Sequence, residues 1–163
     1  MESRDILRDL GPLALGSRLK RLSDWLLTDA AKIYRDSEHP HPTGQFPLIA
    51  ALDRYGPMTV NDAAAVLGVS QPAATRTAAE AAKFGLVEAE TSAGDRRVRT
   101  LSLTEVGRQS VAQMKLELWP RVEAAARELL RGTSGAFLRD VAALEARLAE
   151  RSLLERYADR DLR

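Results

Sequence analysis

The chain has 163 residues, and its 24 basic and 23 acidic residues give a formal net charge of +1. It contains no cysteine, which excludes disulfides, thiolate metal sites and a catalytic thiol. No apolar run approaches the about 20 residues that span a bilayer, and the first ten residues mix acidic and basic side chains, unlike a signal peptide. We therefore expect a single domain over residues 1–163 that lies outside the membrane, in the cytoplasm.

Apolar residues at intervals of three and four predict a long amphipathic helix over residues 13–34. Two prolines and a glycine in residues 37–44 end that helix. A short helix is predicted over residues 46–55, and two more over residues 59–68 and 71–84. The last two are joined so tightly that they predict a helix-turn-helix unit.

Alternating residues predict two strands, at 86–91 and 98–103, joined by a loop that carries arginines. Thr104 is the expected N-cap of a long final helical region, which Pro120 kinks or divides. Residues 131–134 break the pattern, and a further amphipathic helix begins near Phe137. The predicted fold is mainly α with a small β-hairpin, and the apolar stripes at both ends of the chain favour a homodimer.

Four short stretches carry a resemblance to a known family: LGVSQPAATR at residues 67–76, KFGLV at 83–87, DRR at 95–97 and LTEVGR at 103–108. In order and spacing they resemble the MarR family of winged helix-turn-helix transcription regulators, over about residues 10–150. The resemblance implies a winged DNA-binding lobe at residues 44–108 and a helical dimerisation region formed by residues 10–37 and 109–163. Many members of the family bind a small-molecule effector, so the resemblance also implies a possible effector here.

The helix over residues 71–84 is the expected recognition helix, with Ala74, Ala78 and Ala81 on its inward face. Small residues at Ala64 and Gly68 are expected to let the two helices of the motif cross closely. Because this chain has alanines where the family usually has larger aliphatic residues, we expect the recognition helix to lie closer to its neighbours than is usual.

Five residues at the start of the recognition helix are candidate DNA contacts: Ser70, Gln71, Pro72, Thr75 and Arg76. Glutamine can pair with adenine and arginine with guanine, and the apolar surface of threonine or proline can meet a thymine methyl. Ser70 and the free N–H groups of the first helical turn suit a phosphate. The opposing interpretation of any one of them is an ordinary solvated helix surface.

The hairpin loop supplies three more candidates, Asp95, Arg96 and Arg97, for which the opposing interpretation is an exposed charged turn. The resemblance implies that Asp95 orients Arg97 into the minor groove, where width and potential are read more than base identity. Arg96 and Arg99 are expected to reach phosphates or to stay in solvent. Glu88 stands where the family commonly has a basic residue, which lowers the positive charge of the lobe.

Other chemistry is poorly supported by the sequence. Residues 11–17 imitate a phosphate-binding loop but have Ser17 where the lysine belongs. His39 and His41 are expected in an exposed loop, with a metal or effector contact as the alternatives. Four aromatic residues are expected in the core, with the walls of an effector pocket as the alternative: Trp25, Phe46, Trp119 and Phe137. We predict no enzyme activity, no catalytic or metal site and no cofactor.

The first part of the chain, around Leu15–Asp24 and Phe46–Leu48, is similar to the regulator half of MarR proteins fused to a GNAT acetyltransferase. No residues after Arg163 remain for such a domain, so acetyltransferase activity is not expected. The predicted function is a homodimeric regulator that binds a palindromic operator in double-stranded DNA, with recognition helices in major grooves about 34 Å apart. It is expected to act as a repressor that a small molecule releases from DNA. The alternative is a ligand- or protein-binding dimer of the same fold that has lost operator binding.

Overall fold

A computed structural model describes residues 4–36, 43–91 and 99–159 of the chain. The chain divides into two compact units, Met1–Pro120 and Arg121–Arg163. None of the helices in the described ranges is long and apolar enough to cross a membrane. The assignment of residues 44–108 to a DNA-binding lobe and of the flanking segments to dimerisation stays a prediction.

The helices of the first unit follow the predicted order. They are α1 (Ile6–Asp9), α2 (Leu15–Arg35), α3 (Phe46–Tyr55), α4 (Val60–Leu67), α5 (Gln71–Lys83) and α6 (Glu105–Glu117), with short 3₁₀ segments at Gly11–Ala14 and Thr43–Gln45. Only α1 was not predicted, since four residues carry no periodic pattern. It is held by tertiary contact, because both oxygens of Asp5, its N-cap, accept hydrogen bonds of 2.9 Å from the guanidinium of Arg21 on α2.

The sheet has three antiparallel strands rather than the two of the predicted hairpin. They are β1 (Met58–Thr59), β2 (Val87–Thr91) and β3 (Arg99–Leu103), in the order β1-β3-β2. The hairpin is confirmed, with Val87 paired to Leu103 and Thr91 paired to Arg99. The two residues of β1 are too few to show alternation, so this strand could be found only from its pairing to β3.

The core of the first unit lies where α3 and α6 pack against the sheet and α5. Its largest fully buried side chains are Leu48, Leu86, Leu101, Val111 and Met114. Each such burial contributes about 1.5–3 kcal/mol relative to an exposed side chain. This core fixes α4, α5 and the hairpin as one body.

The final helical region is divided near Pro120, as predicted. Three helices follow α6, namely α7 (Trp119–Leu130), α8 (Phe137–Glu150) and α9 (Leu153–Ala158), and Pro120 lies in the first turn of α7. The predicted stripe of this region is buried on α6, at Val111, Met114 and Leu118, but Leu129 on α7 is 61% exposed. The second half of the stripe is therefore open in the single chain.

Candidate nucleic-acid interface

The turn between α4 and α5 is set by local chemistry. Thr59 caps α4 by accepting a hydrogen bond of 3.1 Å from the backbone N–H of Asp62, whose carboxylate accepts from the backbone of Thr59 in return. Gly68 ends α4 with φ 64°, a conformation that favours glycine. A Cβ at Gly68 would have no heavy atom within 4 Å, so the expectation that this glycine allows close helix crossing is wrong, and it is required for the turn.

The inward face of α5 is formed by the three predicted alanines. Ala74 and Ala81 are fully buried and Ala78 is 7% exposed. Ala64 of α4 is also buried, and α4 and α5 pack directly on each other. The small side chains seat α5 on the core, while the proposal that it lies unusually close to its neighbours stays a prediction.

The five predicted contact residues of the helix are exposed and contiguous. Ser70 is the N-cap of α5, and its side chain forms no capping hydrogen bond. The side chains of Gln71, Pro72, Thr75 and Arg76 all lie on the exposed surface of the first two turns. The structure thus brings the set together at one helix end, and their contact with DNA stays a prediction.

Two threonines of α5 donate hydrogen bonds back to the helix. The hydroxyl of Thr75 donates to the carbonyl of Gln71 at 2.9 Å, and that of Thr77 donates to the carbonyl of Ala73 at 3.1 Å. Thr75 is exposed, whereas Thr77 is half-buried. Each hydroxyl proton is therefore already used, and each side chain is held in one orientation.

The charge of the helix surface is concentrated at Arg76. The other basic side chain, Lys83, is paired with Glu80 at 2.6 Å. The start of the helix also has a positive potential that would attract an anion. It comes from the N–H groups of the first turn that form no hydrogen bond within the helix, and from the helix dipole. The surface is thus weakly basic and its charge is local.

The wing is described only up to its strands. Asp95, Arg96 and Arg97 lie outside the described residues. Arg99 begins β3 and is exposed. On β2, the exposed Glu88 accepts a hydrogen bond of 3.4 Å from Ser102 across the hairpin.

A close contact that sequence reasoning missed joins the wing to α6. Gly107, in the first turn of α6, lies against the backbone of Leu86, and an added Cβ would overlap the Leu86 carbonyl oxygen. That oxygen also accepts a hydrogen bond of 3.1 Å from the N–H of Thr104. The Thr104 side chain donates to Gly85 at 2.5 Å and accepts from Gly107 at 2.9 Å. Gly107 stood in the LTEVGR motif, but nothing in the sequence showed what it touches.

Three aromatic residues form a cluster in the first unit. Phe46 packs edge-on against Trp119 with ring centroids 5.2 Å apart, and against Tyr34 at 6.5 Å. Burial raises the pKa of Tyr34, and the nearby indole N–H of Trp119 partly offsets that rise. The buried indole N–H of Trp119 interacts only weakly with Tyr34.

The prediction that all four aromatic residues belong to the core is wrong for Trp25, and Phe46 is also 37% exposed. The side chain of Trp25 is 59% exposed, and the guanidinium of Arg21 lies over its ring, 5.4 Å from the centroid. Phe137, on α8, is 38% exposed. Sequence periodicity placed Trp25 and Phe137 on apolar faces, but it could not show that those faces are uncovered in one chain.

No metal site is present among the residues that the structure describes, where no three histidine or acidic side chains converge. His39 and His41 lie outside those residues, so the expectation of an exposed loop stays a prediction. In the second unit, a shallow groove is lined by side chains of α7 and α8 and the turn between them: Glu123, Ala126, Arg127, Leu130, Arg131 and Leu138.

Comparison with known proteins agrees with this geometry. The family model described as MarR family matches residues 41–98, which include α3, α4, α5 and β2. The chain has the MarR winged-helix fold. Solved structures support the same fold over most of the chain, whereas a search of the curated proteins gave no match.

Three structural neighbours with the MarR fold are informative. PcaV of Streptomyces coelicolor, in complex with its natural ligand, has a TM-score of 0.66 at 17% identity and covers 93% of this chain and 99% of its own. BpsR of Bordetella bronchiseptica, whose DNA binding is regulated by 6-hydroxynicotinic acid, has a TM-score of 0.64 at 20% identity. The match covers 83% of this chain and 98% of BpsR. The repressor CouR, bound to a 23-mer DNA duplex, has a TM-score of 0.62 at 23% identity. The match covers 86% of this chain and 96% of CouR.

These comparisons confirm the predicted fold class, a mainly helical winged helix-turn-helix. PcaV is described as a transcriptional regulator and CouR as a transcriptional repressor, which agrees with the prediction that this chain is not an enzyme.

Proposed function

We propose that this protein is a sequence-specific DNA-binding transcription regulator. The observation that carries the proposal is the exposed, contiguous set at the start of α5, from Ser70 to Arg76, presented by a rigid helix-turn-helix. A helix of this kind enters the major groove with its N-terminal residues against the base edges. Gln71 and Arg76 supply the hydrogen-bonding groups for bases, and Ser70 with the first-turn N–H groups supplies a phosphate contact.

The wing supplies the second contact of the proposed complex. Asp95 orients Arg97 into the minor groove, and Arg96 reaches the adjacent phosphates. This assignment follows the MarR resemblance of the DRR stretch, and the β2–β3 pairing at Thr91 and Arg99 supports a hairpin with residues 92–98 between its strands.

A homodimer on a palindromic operator follows from the apolar surface of α2. Its exposed large apolar side chains are Leu15, Leu19, Leu22, Trp25, Leu26, Leu27 and Ile33. Five of them, Leu15, Leu19, Leu22, Leu26 and Ile33, recur at helical spacing along one side of the helix. An exposed apolar stripe of this length marks an interface, and a second copy of the chain is its simplest occupant. Two recognition helices then lie about 34 Å apart, in successive major grooves.

The proposed regulator is a repressor that a small molecule releases from DNA. Two neighbours of the same fold support a ligand response, PcaV with its natural ligand and BpsR with 6-hydroxynicotinic acid. In this chain the cluster of Tyr34, Phe46 and Trp119 provides partly buried aromatic surface, with Tyr34 5% and Phe46 37% exposed. An effector acts only through its different affinity for the DNA-binding and released conformations.

The DNA proposal is tested by selecting duplexes from random-sequence DNA with the wild-type protein and measuring their affinity. Arg76→Ala and Arg97→Ala are each expected to weaken binding to the selected duplex by about 5- to 150-fold per half-site, the range of one good base contact. Arg8→Ala, which removes the same charge from an exposed position on α1, is the matched control. Equal affinity of the wild-type protein for selected and random duplexes would refute the proposal.

The dimer is tested by light scattering of purified variants. Leu26→Glu places a charge in the apolar surface of α2 and is expected to give monomers at micromolar concentration. Val66→Glu makes the same change at a half-exposed position of α4 and is expected to leave the dimer intact. A dimer that persists in Leu26→Glu as in the control would contradict the proposed interface.

The effector proposal is tested by fluorescence. In Trp25→Phe the single remaining indole, Trp119, reports on the aromatic cluster. With 6-hydroxynicotinic acid as the first probe, followed by other small aromatic acids, we expect saturable quenching together with release of the selected duplex. Quenching without any change in DNA affinity would mean a ligand site that does not regulate.

The second candidate function is a ligand- or protein-binding dimer that no longer binds an operator. It is favoured by the acidic surface of β2, where Glu88 and Glu90 are both exposed, and by the alanine-rich recognition helix. The DNA selection distinguishes the two candidates, because the second predicts no enriched sequence. We also propose that the regulator is cytoplasmic. We propose further that it is related to the regulator half of GNAT fusions, which the first part of the chain resembles.

A further inference from the structure

Alanine and threonine methyl groups occupy the middle of the exposed surface of α5. At 3.6 residues per turn the exposed side chains span an arc of about 140°; they are Gln71, Pro72, Thr75, Arg76, Ala79, Ala82 and Lys83. Thr75 and Ala79 lie near the centre of that arc, one turn apart. Gln71 and Arg76 lie toward opposite edges, so the polar groups flank an apolar centre.

Thr75 cannot donate a hydrogen bond to a base from this arrangement. Its hydroxyl proton is used by the carbonyl of Gln71, 2.9 Å away. The same hydrogen bond fixes the rotation of this exposed side chain, so its methyl group is held in place before any ligand arrives. A group held in its bound orientation loses little entropy on binding.

We propose that Thr75 reads thymine through its methyl group and thereby sets the sequence preference of the recognition helix. Thymine differs from the other bases by a C5-methyl group in the major groove, and apolar side chains read it by contact. The small side chains of Ala79 and Ala82 leave room for the helix backbone to approach the groove floor. This inference rests on the proposed DNA binding and adds which base is read and by which atoms.

Two substitutions separate the methyl group from the hydroxyl. Thr75→Ser keeps the hydroxyl and removes the methyl, whereas Thr75→Val keeps the methyl and removes the hydroxyl. Contact through the methyl predicts that Thr75→Val binds the selected duplex about fourfold more tightly per half-site than Thr75→Ser, the equivalent of one buried methyl group. For two half-sites the expected difference is about 15-fold.

Thr77→Ser and Thr77→Val are the matched controls. Thr77 forms the same kind of hydrogen bond, to Ala73, but it is half-buried away from the centre of the exposed arc. These controls carry the same changes in helix propensity without a change at the proposed contact. Their two affinities are expected to differ from each other by less than twofold.

Deoxyuridine scanning supplies the readout on the DNA. Replacing one thymine by uracil removes only the C5-methyl. Made at the equivalent position of both half-sites, it is expected to weaken wild-type binding by about fourfold per half-site, or about 15-fold for the whole duplex. In Thr75→Ser the same replacement should cost little further, because the methyl pair is already broken.

The outcomes distinguish this inference from the proposed function. Selective binding in which Thr75→Val is weaker than Thr75→Ser, or in which no uracil position matters, overturns the methyl contact and leaves the regulator proposal standing. Failure of the wild-type protein to enrich any sequence overturns both.

Discussion

The contact between Gly107 and Leu86 predicts a large effect of adding a single methyl group. In Gly107→Ala the new Cβ would overlap the carbonyl oxygen of Leu86 and lie 3.0 Å from its carbonyl carbon. Both obstacles are backbone atoms, so no side chain can rotate away. Restoring ordinary contact distances requires α6 and the start of β2 to separate by about 1 Å.

The cost is expected at the upper end of the range for overpacking, about 3 kcal/mol. That separation also strains the hydrogen bond of 3.1 Å between Thr104 and Leu86. For a chain of this length, each kcal/mol shifts the melting temperature by about 2–4 °C, so Gly107→Ala should lower it by about 6–12 °C. Because Leu86 leads directly into β2, the displaced wing should also weaken DNA binding.

The assay is thermal unfolding followed by circular dichroism, at one protein concentration for all variants because a dimer's melting temperature depends on concentration. Gly44→Ala is the control, since a Cβ there has no heavy atom within 4 Å and the backbone φ is not positive. It should be neutral or stabilising by about 0.4–1 kcal/mol. A melting temperature of Gly107→Ala within about 2 °C of wild type would refute the reasoning.

Three further predictions concern pH and salt. Burial raises the pKa of Tyr34 above 10 in the folded chain, so the free energy of unfolding should fall as pH rises from about 10 through the folded pKa. In urea denaturation Tyr34→Phe should lose less stability over the same pH range, and an equal loss in both proteins would contradict the prediction. Hydrogen bonds from Arg21 hold the pKa of Asp5 below 3.8, so the protection of the α1 amides relative to intrinsic exchange should fall on acidification below that value. It should also fall at neutral pH in Asp5→Asn but not in Asp9→Asn; unchanged protection would mean that the pair does not hold α1. Residues 57–108 carry six basic and six acidic side chains, so few counterions are released on DNA binding, and a log–log salt slope near −10 would count against this prediction.

Local patterns in the sequence were enough for the elements that carry the site. The bounds of α3 and the start of α5 are as predicted, because a proline in the first turn and a glycine or serine at the ends act through the backbone of their own residues. The hairpin strands and the division at Pro120 were found for the same reason. Elements of two to four residues, α1 and β1, were missed because their stability comes from Arg21 and from β3.

Candidate site residues divide in the same way. Helical periodicity at 100° per residue was enough to separate the buried Ala74, Ala78 and Ala81 from the exposed Gln71, Thr75 and Arg76. It could not show that the Thr75 hydroxyl is already bonded to Gln71, since a threonine in a helix has two common orientations. Nor could periodicity show that Trp119 packs against other aromatic side chains whereas Trp25 is exposed, because both tryptophans lie on apolar helix faces.

By itself, the sequence determined the order of helices and strands, the inward face of α5 and the family resemblance of its turn. Those properties depend on residues close together in the chain, where spacing and capping act directly. Only the tertiary structure decided that Gly107 lies against Leu86, that Tyr34, Phe46 and Trp119 form one cluster, and that the surface of α2 is open in the single chain. These depend on contacts between distant segments, which packing of the whole core selects and no local pattern encodes.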